Sequence, residues 1–121
     1  MSPLLARVAV LGLVVAQLAG CSRTLEPGVT VQGNLVSITR PADGPIITDA
    51  SDSTVAEVFE LYDAQFGNGA SQQIVHVVRR SGSTYLVVPA QQLTYDEYEL
   101  LGPLGYIVDL NSGTITGAPR D

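Results

Sequence analysis

The stretch Gln73–Pro89 constrains this fold more than any other part of the chain. Apolar residues crowd both sides of a Ser81-Gly82 turn, and the segment reads as a β-hairpin. A two-residue loop at that turn puts Val75, Val77, Leu86 and Val88 on one face. Ile74, His76, Val78, Tyr85 and Val87 then fall on the other. Both faces are largely apolar, so the hairpin is expected at the centre of a sheet.

The flanking segments supply the rest of a small domain. Val29–Thr39 predicts a hairpin around Gly33-Asn34, residues that accept positive φ. Val31 is paired with Val36 and Val29 with Ile38, all on one face, with Thr30 and Ser37 on the other. Pro41–Pro45 breaks the chain, and Ile46-Ile47 adds a short strand. A helix is announced by Ser51–Thr54, with Thr54 and Glu57 spaced as a capping box. Val55, Val58, Phe59, Tyr62 and Phe66 form its apolar stripe, and Gly67 and Gly69 stop it. A second, short helix starts at Thr94, where Thr94 and Glu97 repeat the capping-box spacing, and ends at Gly102-Pro103. Tyr106–Leu110 and Thr114–Thr116 close the domain as a hairpin, with Gly113 in a left-handed position.

The order hairpin, helix, hairpin, helix, hairpin gives an α+β class: one small domain of antiparallel hairpins packed with two short helices, spanning 29–116. Residues 117–121 read as a loose tail. From Ile46 to Leu101 the order strand–helix–strand–strand–helix is similar to small periplasmic modules such as BON domains and the repeat domains of secretins. That likeness covers about half the chain and rests on element order, so it implies a fold and no activity.

The N-terminus has a different character. Met1–Arg7 carries one Arg, Val8–Leu18 is an apolar run broken only by Gln17, and Leu18-Ala19-Gly20-Cys21 follows. A spanning helix needs roughly 20 apolar residues, and this run is shorter. The arrangement resembles the signal peptide and lipobox of bacterial lipoproteins. The resemblance implies cleavage of residues 1–20 and attachment of two or three acyl chains to Cys21. Two chains suffice for stable anchoring, at about 0.8 kcal/mol per buried CH₂. Residues 21–28, with Pro27 and Gly28, then read as the lipidated end and a tether. Ser22 stands where an Asp would retain a Gram-negative lipoprotein at the inner membrane, so the resemblance implies the periplasmic face of the outer membrane. In a Gram-positive host it implies the outer face of the cytoplasmic membrane.

Cys21 is the only cysteine, so packing alone must hold the domain. The whole chain has a net charge of −6, with no Lys and no basic cluster beyond Arg79-Arg80. Affinity for nucleic acid comes mostly from neutralised phosphates, so that partner is not expected. The acidic balance also leaves the acyl chains as the membrane contact.

Catalytic signatures are sparse. His76, the only histidine, lies mid-strand between apolar neighbours, where a packed structural role is expected, and no second His or Cys could share a metal with it. No G-x-S-x-G elbow and no phosphate loop occurs. Asp109–Gly113 is similar to the start of a calcium loop, but its Gly comes one position early and the terminal Glu is missing. No catalytic residue, metal or cofactor is therefore expected, and the chain is read as no enzyme. Two groups are candidate interface residues: Glu57, Glu60 and Asp63 on the first helix, and Tyr95 and Tyr98 on the second. The expected function is a lipid-anchored, non-enzymatic module that binds an envelope protein as an accessory of an assembly. The alternative is a small inhibitor or phage-derived exclusion lipoprotein.

Overall fold

A computed structural model describes residues 22–118, with two α-helices and nine strands in two sheets. The signal segment 1–20, Cys21 and the end of the tail lie outside the described residues. The first sheet holds β1 (Ser22–Glu26), β2 (Val29–Gln32), β3 (Leu35–Ile38) and β7 (Gln91–Thr94), in the order β1-β2-β3-β7. The second holds β4 (Ile46–Thr48), β5 (Ile74–Ser81), β6 (Thr84–Pro89), β8 (Tyr106–Asp109) and β9 (Thr114–Gly117), in the order β4-β5-β6-β8-β9. All pairs are antiparallel except β4 with β5, which are joined through helix α1 (Asp52–Phe66) and a 3₁₀ turn at Ala70–Gln73. Helix α2 (Tyr95–Leu101) follows β7 directly.

The β5–β6 hairpin is central, as its composition requires, and each face is buried in a different core. Val75 and Val88 pack with Val29, Val31, Val36, Ile38 and Leu93 of the first sheet. Ile74, Val77, Tyr85 and Val87 pack with Val108 and with Val58 and Tyr62 of α1. The layers are therefore first sheet, second sheet, α1, with α2 folded onto the first core through Tyr95 and Tyr98. An aromatic trio closes the second core: Tyr62 lies 4.6 Å from Phe66 and 6.0 Å from Tyr106, and Phe66 lies 4.9 Å from Tyr106, ring centre to ring centre.

The register of this hairpin differs from the expected one. The loop is Gly82-Ser83, since Ser81 pairs with Thr84, and two irregularities interrupt the ladder, between Arg79 and Ser81 and between Ile74 and His76. Between them Val77 faces Val87 and Val78 faces Leu86, so Val77 shares a face with Val87 rather than with Leu86 and Val88. A β-bulge sets two residues against one on the partner strand and shifts alternation by one. The face assignment made from strict period-two alternation is corrected accordingly.

Other departures are local. The N-cap of α1 is Ser51, whose hydroxyl accepts from the Thr54 amide, so the helix starts one turn before the expected Thr54–Glu57 box. The segment read as a tether is β1, paired with β2 from Ser22↔Gln32 to Glu26↔Val29. Strand β7 pairs with β3 where no strand was expected. Gly117, assigned to the loose tail, is the last residue of β9. The β2–β3 register, the capping box of Thr94 with Glu97 and the stop at Gly102 match the sequence reading.

Two polar ties fix the connections. Arg40, after β3, donates from Nε to the Ile74 carbonyl (2.8 Å) and from Nη2 to the Ser71 carbonyl (2.8 Å). Its guanidinium also lies 5.9 Å from the centre of the Phe59 ring, over α1. Gly28, at φ +81°, turns β1 into β2 where the sheets meet; a Cβ there would stand 3.1 Å from both the Thr39 carbonyl and Val75 Cγ1.

Ile74 is fully buried. Ile74→Ala is expected to cost about 2–5 kcal/mol in urea unfolding, through lost burial and the cavity left behind. Thr94→Ala removes a cap at the surface and is expected to cost about 1 kcal/mol.

Candidate functional site

A concave site lies where the first sheet stops covering the β5–β6 hairpin. It is a groove of about 280 Å³. Val29 and Ile38 of the first sheet and Val78, Leu86 and Val88 of the second form its apolar walls. Glu26 from β1, Tyr98 from α2 and His76 from β5 bring polar atoms to it, and Pro103 closes one edge.

Local structure explains each position. Glu26 is the last residue of β1, next to the Pro27-Gly28 turn, so the pairing of β1 sets it at the groove. Tyr98 lies one turn into α2, whose start is fixed by the capping box and by the Tyr95 amide donating to the Asn34 carbonyl (2.8 Å). The irregularity beside Ile74 leaves Val75 in the first core and brings His76 opposite Val88, into the groove wall.

The Tyr98 hydroxyl donates to Glu26 Oε2 in a short hydrogen bond that ties α2 to β1. Burial, and then the hydrogen bond and charge of Glu26 with the charge of Glu99, push the Tyr98 hydroxyl up to about 12. It remains a donor across the whole neutral range. Among the described residues, Glu26 Oε1 and the His76 ring have no hydrogen-bond partner. The groove therefore offers a carboxylate oxygen and an imidazole beside an apolar wall. Among the described residues no group of three His, Cys, Asp or Glu is placed to hold a metal ion.

The expected interface residues fall into two separate places. Glu57 and Glu60 are exposed on α1 and border a shallower depression with Leu61, Leu110 and Gly113. Asp63 is not free with them. Its Oδ1 accepts from the Ser71 amide (2.7 Å) and its Oδ2 from the Ser71 hydroxyl (3.0 Å), so it holds the 3₁₀ turn to α1. Tyr95 packs against the first core, and Tyr98 reaches the groove. The two helices lie on opposite sides of the second sheet, so the acidic and tyrosine groups do not form one surface. Asp109 organises its own loop. Desolvation raises its carboxyl, but hydrogen bonds from the Asn111 and Ser112 amides and from the Ser83 and Ser112 hydroxyls outweigh that and hold it below the ordinary value.

Sequence reasoning missed Glu26 and assigned His76 to packing. Glu26 sits in a segment whose only apolar residue before Pro27 is Leu25, too weak a pattern to mark a strand. No family model matches the chain, and no curated protein or solved structure matches it.

Removing the carboxylate charge in Glu26→Gln is expected to lower the Tyr98 pKa while leaving it above 10, because burial is the larger cause. Ring-carbon NMR titration of the tyrosines measures this directly. The sign for stability follows: with its folded value raised, Tyr98 contributes fully below its unfolded value near 10, and that contribution is lost as the pH climbs towards 12. Separately, Asp63→Ala leaves the buried Ser71 amide without its acceptor and is expected to destabilise by about 1–3 kcal/mol. Glu57→Ala and Glu60→Ala should stay within about 0.5 kcal/mol in the same unfolding assay.

Proposed function

We propose that this chain is a bacterial envelope lipoprotein whose folded domain is a non-enzymatic protein-interaction module working through the groove. In this reading Leu18-Ala19-Gly20-Cys21 directs cleavage before Cys21 and lipid attachment to it. The observation that carries the binding role is the groove itself, an apolar cleft at whose edge a carboxylate oxygen and an imidazole have no hydrogen-bond partner among the described residues.

The strand β1 changes how such an anchor would act. It begins at Ser22, so a lipid on Cys21 joins the sheet edge with no flexible spacer. Glu26 lies four residues along the strand, about 13 Å from Ser22 at roughly 3.3 Å per residue. The domain would ride against the bilayer with its groove set back from the anchor. By the lipoprotein resemblance, the membrane is the outer membrane, at its periplasmic face, and in a Gram-positive host the cytoplasmic membrane.

One observation favours a second reading: His76 shares the groove with the Glu26 carboxylate, the pairing that a small hydrolase would use. The two readings separate by experiment. Mass spectrometry of the purified protein should show a lipid-modified Cys21 as first residue, and Cys21→Ser should leave an unlipidated precursor. Normal processing and placement of that variant would refute the lipoprotein reading. A photo-crosslinker at Val78 should capture one discrete envelope protein in cells, and His76→Gln should leave the phenotype intact. A His76→Gln variant that folds and captures its partner but loses a measured turnover would overturn the binding module in favour of the hydrolase.

A further inference from the structure

Leu104, 40 % exposed, follows Pro103, which borders the groove. The loop that carries it is pinned. The Leu104 amide donates to Gln91 Oε1 (2.8 Å), and Gln91 Nε2 donates to the Leu104 carbonyl (2.9 Å) and to the Pro89 carbonyl (2.9 Å). The side chain of one β7 residue thus holds the loop against the end of β6, and Leu104 keeps a fixed place next to Pro103 at the groove. A preordered apolar edge lowers the ordering cost when a ligand binds beside it.

Its charge is of one sign. Glu26 lies at the groove, and Glu99 is close enough to act on Tyr98 electrostatically. Asp96 and Glu99 are exposed on the same short helix, and among the described residues no Arg or Lys lines the groove. Tyr98 occupies only one oxygen of Glu26, so Oε1 is open to a donor from outside. An anionic or carboxylate-bearing ligand would meet repulsion from Glu26 and Glu99. A cation beside an aliphatic group would bury its carbon against Val29, Ile38 and Val88 and place its N–H groups on Glu26 Oε1.

We infer that the groove takes a segment of a partner protein in which a branched aliphatic side chain stands next to Arg or Lys, the aliphatic group filling the cleft and the cation paired with Glu26. The inference rests on the binding-module reading above and adds the chemistry of the partner.

The test uses the full chain with its own N-terminus, placed in phosphatidylcholine nanodiscs, and three capped tripeptides: Leu-Arg-Leu, Leu-Gln-Leu and Leu-Glu-Leu. Methyl NMR follows Val29, Ile38 and Val88. The Arg peptide should shift these methyls saturably and bind about fivefold more tightly than the Gln peptide, with the Glu peptide weakest. The preference should shrink in 0.5 M salt, a concentration at which the screening length falls to about 4–5 Å. It should vanish in Glu26→Gln, whose amide oxygen can still accept from Tyr98. If all three peptides bind alike, or the Glu peptide binds best, the groove is a binding site and the cation inference is wrong. If none moves the groove methyls while the protein is folded, the inference and the binding reading beneath it both fail. Should Glu26→Gln not fold, the peptide order and its salt dependence on the unaltered protein decide the matter.

Discussion

A β-hairpin that is apolar on both faces must be covered on both, and that requirement organises this molecule. The strands β5 and β6 bury Val75 and Val88 on one side and Ile74, Val77 and Val87 on the other. The chain before and after them is divided between the two tasks. The early hairpin β2–β3, with β7 and α2, covers one face, and α1 with the aromatic trio covers the other. Each covering layer is thin, so neither core stands without the shared hairpin. Without any disulfide, this shared burial is the main cohesive term.

The groove follows from unequal lengths. Strand β5 has eight residues and β6 has six, whereas β2 and β3 have four each. A four-residue strand spans about 13 Å and cannot cover an eight-residue partner of about 26 Å. His76, Val78 and Leu86 are left half-buried beyond the edge of the first sheet. The bulge beside Ile74 adds to this by putting two neighbouring residues, Val75 and His76, towards the first sheet instead of alternating them. A site thus appears where the two-layer packing runs out of strand.

Much of the fold was legible because local chemistry and burial agreed. The Gly33-Asn34 turn and the valines around it specify one register, Val31 with Val36 and Val29 with Ile38, and the structure has it. Thr94 and Glu97 specify a helix start, and both halves of the box are formed. The central hairpin was harder for a physical reason. With apolar residues on both faces, a one-residue slip exposes nothing polar to object, so the pattern cannot report bulges. The α1 start is ambiguous in sequence because Ser51, Ser53 and Thr54 are all capable caps; in the structure Ser51 takes the role, its hydroxyl accepting from the Thr54 amide. Strands β1 and β7 carry weak alternation and exist through their neighbours: Ser22–Glu26 adds to β2, and Gln91–Thr94 adds to β3. The candidate site was the least legible part, since its charged residue came from one of these neighbour-made strands.

That dependence joins the site to the edge of the sheet. Among the described residues strand β1 has one pairing partner, β2, and four of its five residues are exposed. Its main apolar anchor is the half-buried Leu25, packed on the first core, and its far end is held by Tyr98 through Glu26. The Glu26–Tyr98 bond is therefore both the clasp of an edge strand and one side of the groove. Such a strand opens more easily than the central hairpin, because it has few buried contacts and one ladder of hydrogen bonds. Occupation of the groove by a cation on Glu26 Oε1 would leave Oε2 with Tyr98, so ligand and clasp need not compete. A ligand that binds only when β1 is in place stabilises that strand by its own binding free energy. In the proposed lipoprotein the same strand begins next to the lipid, so the partner bound in the groove and the anchor in the membrane would act on opposite ends of five residues.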